Sequence, residues 1–139
     1  HALTLKLLLQ RPQGLVDVAR WLHDRYPGPI WITEAGTADN SDSFRSRYLD
    51  DHLRAIAGSG LPIERYYHWC FVDNWEWAEG EVPRFGIVRL DHATQERTVK
   101  DSGRFLAAVI ADRGVAEASY AAHVASQRYR IESEPSPRG

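Results

Sequence analysis

Two short runs of β-branched and aromatic residues flank a strongly periodic segment, and that order limits the fold more than any other feature. The runs are IWITE at 30–34 and IERYYHWC at 63–70. Between them Phe44, Tyr48, Leu49, His52, Leu53 and Ile56 recur at the spacing of a helix with one apolar face. Gly58 and Gly60 close that helix. Strand, helix and strand at this spacing make a βαβ unit, with parallel strands and a right-handed crossover. The fold class is therefore α/β. Residues 35–43 are small and polar and read as a loop in which Ser41, Asp42 or Ser43 caps the helix.

The flanking segments are punctuated as clearly. A helix is predicted over 13–26, opened by Pro12 and stopped by Pro27, with Leu15, Val18, Ala19, Leu22 and Tyr26 as its apolar face. Residues 86–90 and 95–99 read as a hairpin around residues 91–94. Asp101 or Ser102 then caps a helix whose face is Phe105, Leu106, Val109 and Ile110, and Gly114 ends it. A weak helix is expected within 115–130. Residues 1–11 form an apolar lead-in, and the last nine residues, IESEPSPRG, read as a solvated, disordered tail.

Composition removes several classes of function. Lys and Arg number 17 against 19 Asp and Glu, so the chain lacks the basic footprint of a nucleic-acid partner. No apolar run approaches the ~18 residues of a membrane span. A single cysteine, Cys70, excludes an internal disulfide and a Cys-based zinc cage, and reads as a small buried filler. The six histidines show no ligand spacing, so no metal is expected. His52 reads as a packing residue, and His68, alternating with Trp69, is expected to point to the other face of its strand. The chain begins with His1 rather than Met, and it is expected to be a piece of a longer protein. No signal-peptide pattern opens it, and a cytoplasmic location is expected.

Two clusters carry chemistry. Glu34 closes a buried strand immediately before Ala35 and Gly36. A carboxylate there is either a salt-bridged structural group or a nucleophile or base at the C-terminal mouth of a parallel sheet, where α/β folds place their sites. Trp69, Glu76 and Trp77 form the second cluster. Indole rings offer flat apolar area to the C–H face of a sugar, and a carboxylate accepts hydrogen bonds from two hydroxyls. The other reading is aromatic packing, with Glu76 paired to Arg84.

Together the clusters resemble glycoside hydrolase family 1, the β-glucosidase family. IWITEAG resembles the family's strand-seven motif, usually I-T-E-N-G, and YYHWCFVDNWEW at 66–77 resembles its strand-eight signature. PRFGIVRLD at 83–91, ERTVKDS at 96–102 and RPQGL at 11–15 resemble three further segments, in the family's order and spacing. The resemblance implies that Glu34 is the catalytic nucleophile and that Trp69 is the platform beneath the sugar. It implies that Glu76 binds two sugar hydroxyls, that Trp77 donates to neighbouring ones and that Phe85 lines the subsite. Retention of Glu76 argues against the 6-phospho-glycosidase branch. Departures are Ala35 for the usual Asn, Cys70 for Ser and Glu81 for Tyr.

The resemblance also implies a fold that this chain is too short to complete. The 139 residues fall far below the ~250 of a (β/α)₈ TIM barrel. They match its C-terminal quarter: helix six, strand seven, helix seven, strand eight and helix eight. Residues 1–113 are expected to be this partial barrel and residues 114–139 a C-terminal extension. The N-E-P motif that supplies the family's acid/base does not occur. The expected function is part of a retaining β-glycosidase acting on unphosphorylated β-D-glycosides, without cofactor or metal. The alternative is a catalytically inactive remnant that binds sugar weakly or self-assembles. The implied partners are a carbohydrate substrate and either the missing N-terminal barrel portion or further copies of the chain, with no nucleic acid and no membrane. The isolated chain is expected to be inactive and marginal in solution, because parallel strands need both faces covered.

Overall fold

The computed structural model describes residues 11–129. Residues 1–10 of the apolar lead-in and the tail of residues 131–139 lie outside the described residues. Helix α1 spans Pro12–Arg25 and strand β1 spans Ile30–Ala35. Helix α2 (Arg45–Gly58) and strand β2 (Ile63–His68) follow. A hairpin is built from β3 (Val88–Leu90) and β4 (Arg97–Val99), and helices α3 (Asp101–Asp112) and α4 (Glu117–His123) complete the order. No helix among the described residues is long and apolar enough to cross a membrane.

Strands β1 and β2 pair in parallel, as the βαβ order requires. The second strand ends at His68, two residues before the predicted end. Ile30, Ile32 and Ala35 are buried, whereas Trp31, Thr33 and Glu34 are exposed. The alternation slips once, at Thr33 and Glu34. Ile32 pairs with Tyr66 and Ala35 with His68, so β1 carries one residue more than β2 across this interval. That bulge turns Glu34 towards the open side of the sheet instead of the helix-covered side. The same open face carries Trp31, 52% exposed, with the Arg65 guanidinium 4.6 Å from its ring centroid and its Nε1 donating to Glu64 Oε2 at 3.2 Å.

The core lies on the helix-covered side. Leu49 of α2, Phe105 of α3 and Val124 just after α4 are fully buried, with Tyr66, Leu106, Val109, Val115 and Tyr120 packed around them. Segment 115–130 therefore contributes a short helix that seats a core residue. Helix α1 turns differently from its predicted face. Val16 and Ala19 are buried, while Val18, Leu22 and Tyr26 are exposed. It packs on α2 along one narrow stripe, and the remainder of its apolar surface has no cover among the described residues.

The helix starts also differ from expectation, because the capping groups come from farther away. None of Ser41, Asp42 and Ser43 caps α2. Asp39 Oδ2 instead accepts the backbone N–H of Phe44 at 2.8 Å and of Arg45 at 3.0 Å. Neither Asp101 nor Ser102 caps α3. Asp42 does so across the fold, accepting the Ser102 N–H at 2.9 Å and the Ser102 hydroxyl at 2.6 Å. At the end of α3 the left-handed position is taken by Arg113, with φ 54°, and not by Gly114. The hairpin forms where predicted but shorter, with Val88 opposite Val99 and Leu90 opposite Arg97.

Truncating the core should therefore cost far more than trimming α1. Leu49→Ala is expected to lower stability by about 2–5 kcal/mol. Val18→Ala, at a side chain 47% exposed, should shift it by less than about 0.5 kcal/mol. Urea unfolding followed by far-UV circular dichroism checks both.

Candidate active site

Glu34 and Trp69 leave the sheet from neighbouring strand ends. Trp69 N–H donates to the Ala35 carbonyl at 2.9 Å, so the strand pairing continues one step past β2. Gly36 lies directly against this junction. A Cβ placed on it would come within 1.7 Å of the Trp69 carbonyl oxygen. Only glycine lets the chain after the Glu34 strand pass so close to the start of the Trp69 loop. The Trp69–Cys70 peptide is cis.

From Cys70 the chain runs beside residues 85–88. Cys70 N–H donates to Phe85 O, Ile87 N–H to Cys70 O, Val88 N–H to Phe71 O and Asp73 N–H to Val88 O, at 2.9–3.2 Å. Gly86 is needed here, because a Cβ would fall 2.2 Å from Asp73 N. This ladder holds Phe85 buried beneath the loop. The loop then closes on itself through Glu76 N–H and the Gly80 carbonyl at 2.7 Å, around a single 3₁₀ turn, Trp77–Glu79.

Of the five predicted site residues Trp69 and Glu76 are bonded to each other, while backbone bonds tie Ala35, next to Glu34, to Trp69 and Phe85 to Cys70, next to Trp69. Trp69 Nε1 donates to Glu76 Oε1 at 3.2 Å. Glu76 is buried, Trp69 is half-buried and Phe85 is buried. Glu34 stands exposed at the strand end beside Trp69. Trp77 is the outlier: its backbone adopts φ 51° and the residue is 84% exposed. The packing alternative paired Arg84 with Glu76; the carboxylate that Arg84 meets is Asp73, at 3.1 Å.

Residues not singled out in the sequence hold these loops. Asp73 is buried and accepts from Lys100 Nζ at 2.9 Å, Arg84 Nη1 at 3.1 Å and the Gly86 N–H at 2.9 Å. Burial alone would raise its pKa, but the bonds and charges of Lys100 and Arg84 outweigh this and hold the carboxyl below its ordinary value. Asp39 and Arg45 are fully buried and join residues 37–43 to residues 82–84. Arg45 does carry a sequence signal: it falls in phase with Tyr48, Leu49 and His52 on the buried stripe of α2.

Three sulfur and imidazole groups are packing groups. Cys70 is buried and its Sγ donates to Val72 O at 3.1 Å. Its thiol is pushed up to about 11 by burial, then by the charges of Glu76 and Asp73. His52 stacks on Tyr48 with ring centroids 3.9 Å apart. His68 lies beneath the ladder with Nε2 3.3 Å from the Phe85 carbonyl, and burial followed by the Arg45 charge brings it down to about 4. Among the described residues no group of three or more His, Cys, Asp or Glu side chains is arranged to hold a metal ion.

Comparison with known proteins identifies the relatives of this chain. The sequence profile of glycosyl hydrolase family 1 matches residues 4–115. β-Glucosidase A of Thermotoga maritima is 38% identical over 117 residues, 75% of this chain and 26% of the relative. β-Glucosidase 1B of Phanerodontia chrysosporium is 36% identical over 108 residues, 67% of this chain and 20% of the relative. Among solved structures, the family 1 β-glucosidase from Thermotoga maritima superposes with a TM-score of 0.71 at 34% identity, covering 77% of this chain and 28% of that one. A further structure of the Thermotoga maritima β-glucosidase is a complex with cyclophellitol. The chain thus spans roughly a quarter of the length of the relatives it matches, and its α/β unit derives from a barrel.

The depressed His68 pKa makes stability depend on pH. The unfolded imidazole titrates near 6.5 and the folded one near 4, so between these values the unfolded chain binds more protons. His68 therefore contributes fully above about pH 6.5, and up to about 3 kcal/mol is lost as the pH falls towards 4. Urea unfolding of wild type and His68→Gln at pH 7 and pH 5 should show a smaller loss in the variant.

Proposed function

The chain belongs to glycosyl hydrolase family 1, and from that premise we propose that it is the C-terminal quarter of a (β/α)₈ barrel. In this role it supplies the nucleophile and glycone subsite of a retaining β-glycosidase. The observation that carries this reading is the bond from Trp69 Nε1 to Glu76 Oε1, formed beside the bulged strand end that presents Glu34. An indole plane fixed by a buried carboxylate suits a ring with an apolar face and a rim of hydroxyls. The substrate class is an unphosphorylated β-D-glycoside, as the names of the matching β-glucosidases suggest.

The chemistry follows from the residue types. The Glu34 carboxylate attacks the anomeric carbon, the bond to the leaving oxygen breaks, and a glycosyl ester forms on Glu34. Water, giving a proton to a second carboxylate, then attacks the same carbon from the opposite face, the ester bond to Glu34 breaks, and the sugar leaves with its configuration retained. Trp69 and Phe85 exclude water from the apolar face, and Glu76 orients the ring through its hydroxyls. A natural leaving group also needs a proton from a second carboxyl about 5–5.5 Å from the first. No N-E-P tripeptide occurs in these 139 residues, so that group comes from the remainder of the barrel.

A second reading has its own observation. Strands β1 and β2 have no other strand neighbour among the described residues, and Trp31 and Tyr67 are exposed on them. A remnant that binds sugar without turnover, or that associates through these strands, would also use this surface.

An activated substrate separates the readings. A 2-deoxy-2-fluoro-β-glucoside with a dinitrophenyl leaving group departs without acid assistance, so it needs only a nucleophile and a formed subsite. Intact-mass measurement is expected to show one glycosyl adduct per chain, absent in Glu34→Gln, with no turnover of unactivated glucosides. A folded chain that acquires no adduct would overturn the catalytic reading and leave the sugar-binding or assembling one.

A further inference from the structure

We infer that Arg45 is a positioning residue that sets the nucleophile strand and the glycone loop in register with each other, which rests on the proposed roles of Glu34, Trp69 and Glu76. Its side chain is 0% exposed although it begins a helix. Its Nη2 donates to the Arg84 carbonyl at 2.6 Å and the Asp39 carbonyl at 2.8 Å, with the Thr37 carbonyl at 3.5 Å. Its Nη1 pairs with the Asp42 carboxylate. Thr37 and Asp39 lie on the loop that leaves Glu34 through Ala35 and Gly36. Arg84 immediately precedes Phe85, whose carbonyl accepts from Cys70, the residue after Trp69. One guanidinium therefore grips both chains that must face a single sugar ring.

The surrounding bonds are arranged around the same junction. The Arg84 carbonyl also accepts the Asp39 N–H at 3.2 Å. Asn40 zips the two loops, with Nδ2 donating to Val82 O and Oδ1 accepting from Arg84 N–H, each at 2.9 Å. Asp42 balances the Arg45 charge and passes the tie to the start of α3 through Ser102. The flat five-donor fork of arginine reaches carbonyls on both loops at once, whereas a lysine ammonium is a point charge that meets them singly. The geometry that Arg45 fixes is the offset between the Glu34 strand end and the Trp69–Glu76 pair. Labelling of Glu34 depends on that offset, because a displacement of about 1 Å at a reacting pair costs up to about a hundredfold in rate.

The test uses the full chain, with Arg45→Lys and, as a milder cut, Asp42→Asn. Circular dichroism and the core methyl resonances of Leu49 and Val124 report folding. The fluoroglucoside reports the labelling rate constant and the fraction of chains labelled. If Arg45 positions the site, Arg45→Lys keeps the core resonances and labels to completion, with a rate constant about 10–100-fold lower. Asp42→Asn should fall between it and wild type. If Arg45 only supports the fold, fewer chains label but those that do react at the wild-type rate, and the inference is overturned. The Trp69 indole N–H resonance gives an answer independent of chemistry. It should move towards the position of an exposed tryptophan in Arg45→Lys while the core stays unchanged, and an unmoved resonance would count against Arg45. A wild-type chain that never labels would count against Glu34 as nucleophile, and the indole resonance would still decide the role of Arg45. Should Arg45→Lys fail to fold, the rate constant and indole resonance of Asp42→Asn decide in the same way.

Discussion

Burial of charge governs how the loops of this molecule are arranged. Arg45, Asp39 and Asp73 have essentially no exposed side chain, and a buried ion is tolerable only when its partners are complete. Each is held by directional bonds, Arg45 through its two Nη atoms. Asp39 takes up the N–H groups at the start of α2, Arg45 takes up the carbonyls of two loops, and Asp73 gathers Lys100, Arg84 and Gly86. These contacts are polar and directional, so they specify where the loops sit and not merely that they are covered. Trp69, Glu76 and Phe85 ride on segments whose course is set in this way.

The sheet shows the complementary situation. Its helix-covered face is closed by apolar packing, but its other face carries Trp31, Glu34, Arg65 and Tyr67. Arg65 lies over the Trp31 ring and its Nη1 is 3.4 Å from the Tyr67 hydroxyl, so these side chains form one connected surface. Parallel strands are normally covered on both sides. The bulge in β1 puts Glu34 on this same face. The surface that stability asks to be covered is therefore also the surface that carries Glu34, and in the proposed function one occupant meets both demands.

The sequence made the elements legible because their signals are local. The α2 stripe, the two strands, the hairpin and the proline bounds of α1 all depend on residues within a turn or two of each other. What could not be read was long in range or set by packing. Asp42 caps a helix 60 residues away, and the local candidates Asp101 and Ser102 gave no hint of it. Asp39 caps α2 from five residues before Phe44, where Ser41 to Ser43 were the nearer choices. The exposed part of α1 was misassigned because helical spacing reports a face and not how much of it finds a neighbour. At the site, the resemblance pointed to Glu34, Trp69 and Glu76 by type and order. The Trp69–Glu76 bond depends on the course of the intervening loop, and that course depends on Asp73 and Gly86, which lie within the quoted motifs but carry no local mark of the cross-loop bonds they make.

This division of bonding fits a division of chemical labour. A glycone subsite must hold one sugar ring in one orientation, so it benefits from groups locked by directional bonds within a single unit, and Trp69, Glu76 and Phe85 are locked in that way. Under the proposed function Glu34 must meet the anomeric carbon of that ring, so its strand has to be registered against the same unit, which is the role we infer for the carbonyl grip of Arg45. The proton donor has a different requirement. It acts on the leaving group, whose size and shape vary from one glycoside to another, and it has to reach the ring from the other side of the scissile bond. Nothing in that requirement demands that it share the buried framework of Arg45 and Asp73. Under the proposed function, a chain that carries Glu34 and the Trp69–Glu76 pair together on one βαβ unit brings its part of the sugar site already braced and depends on the remainder of the barrel for departure of the aglycone.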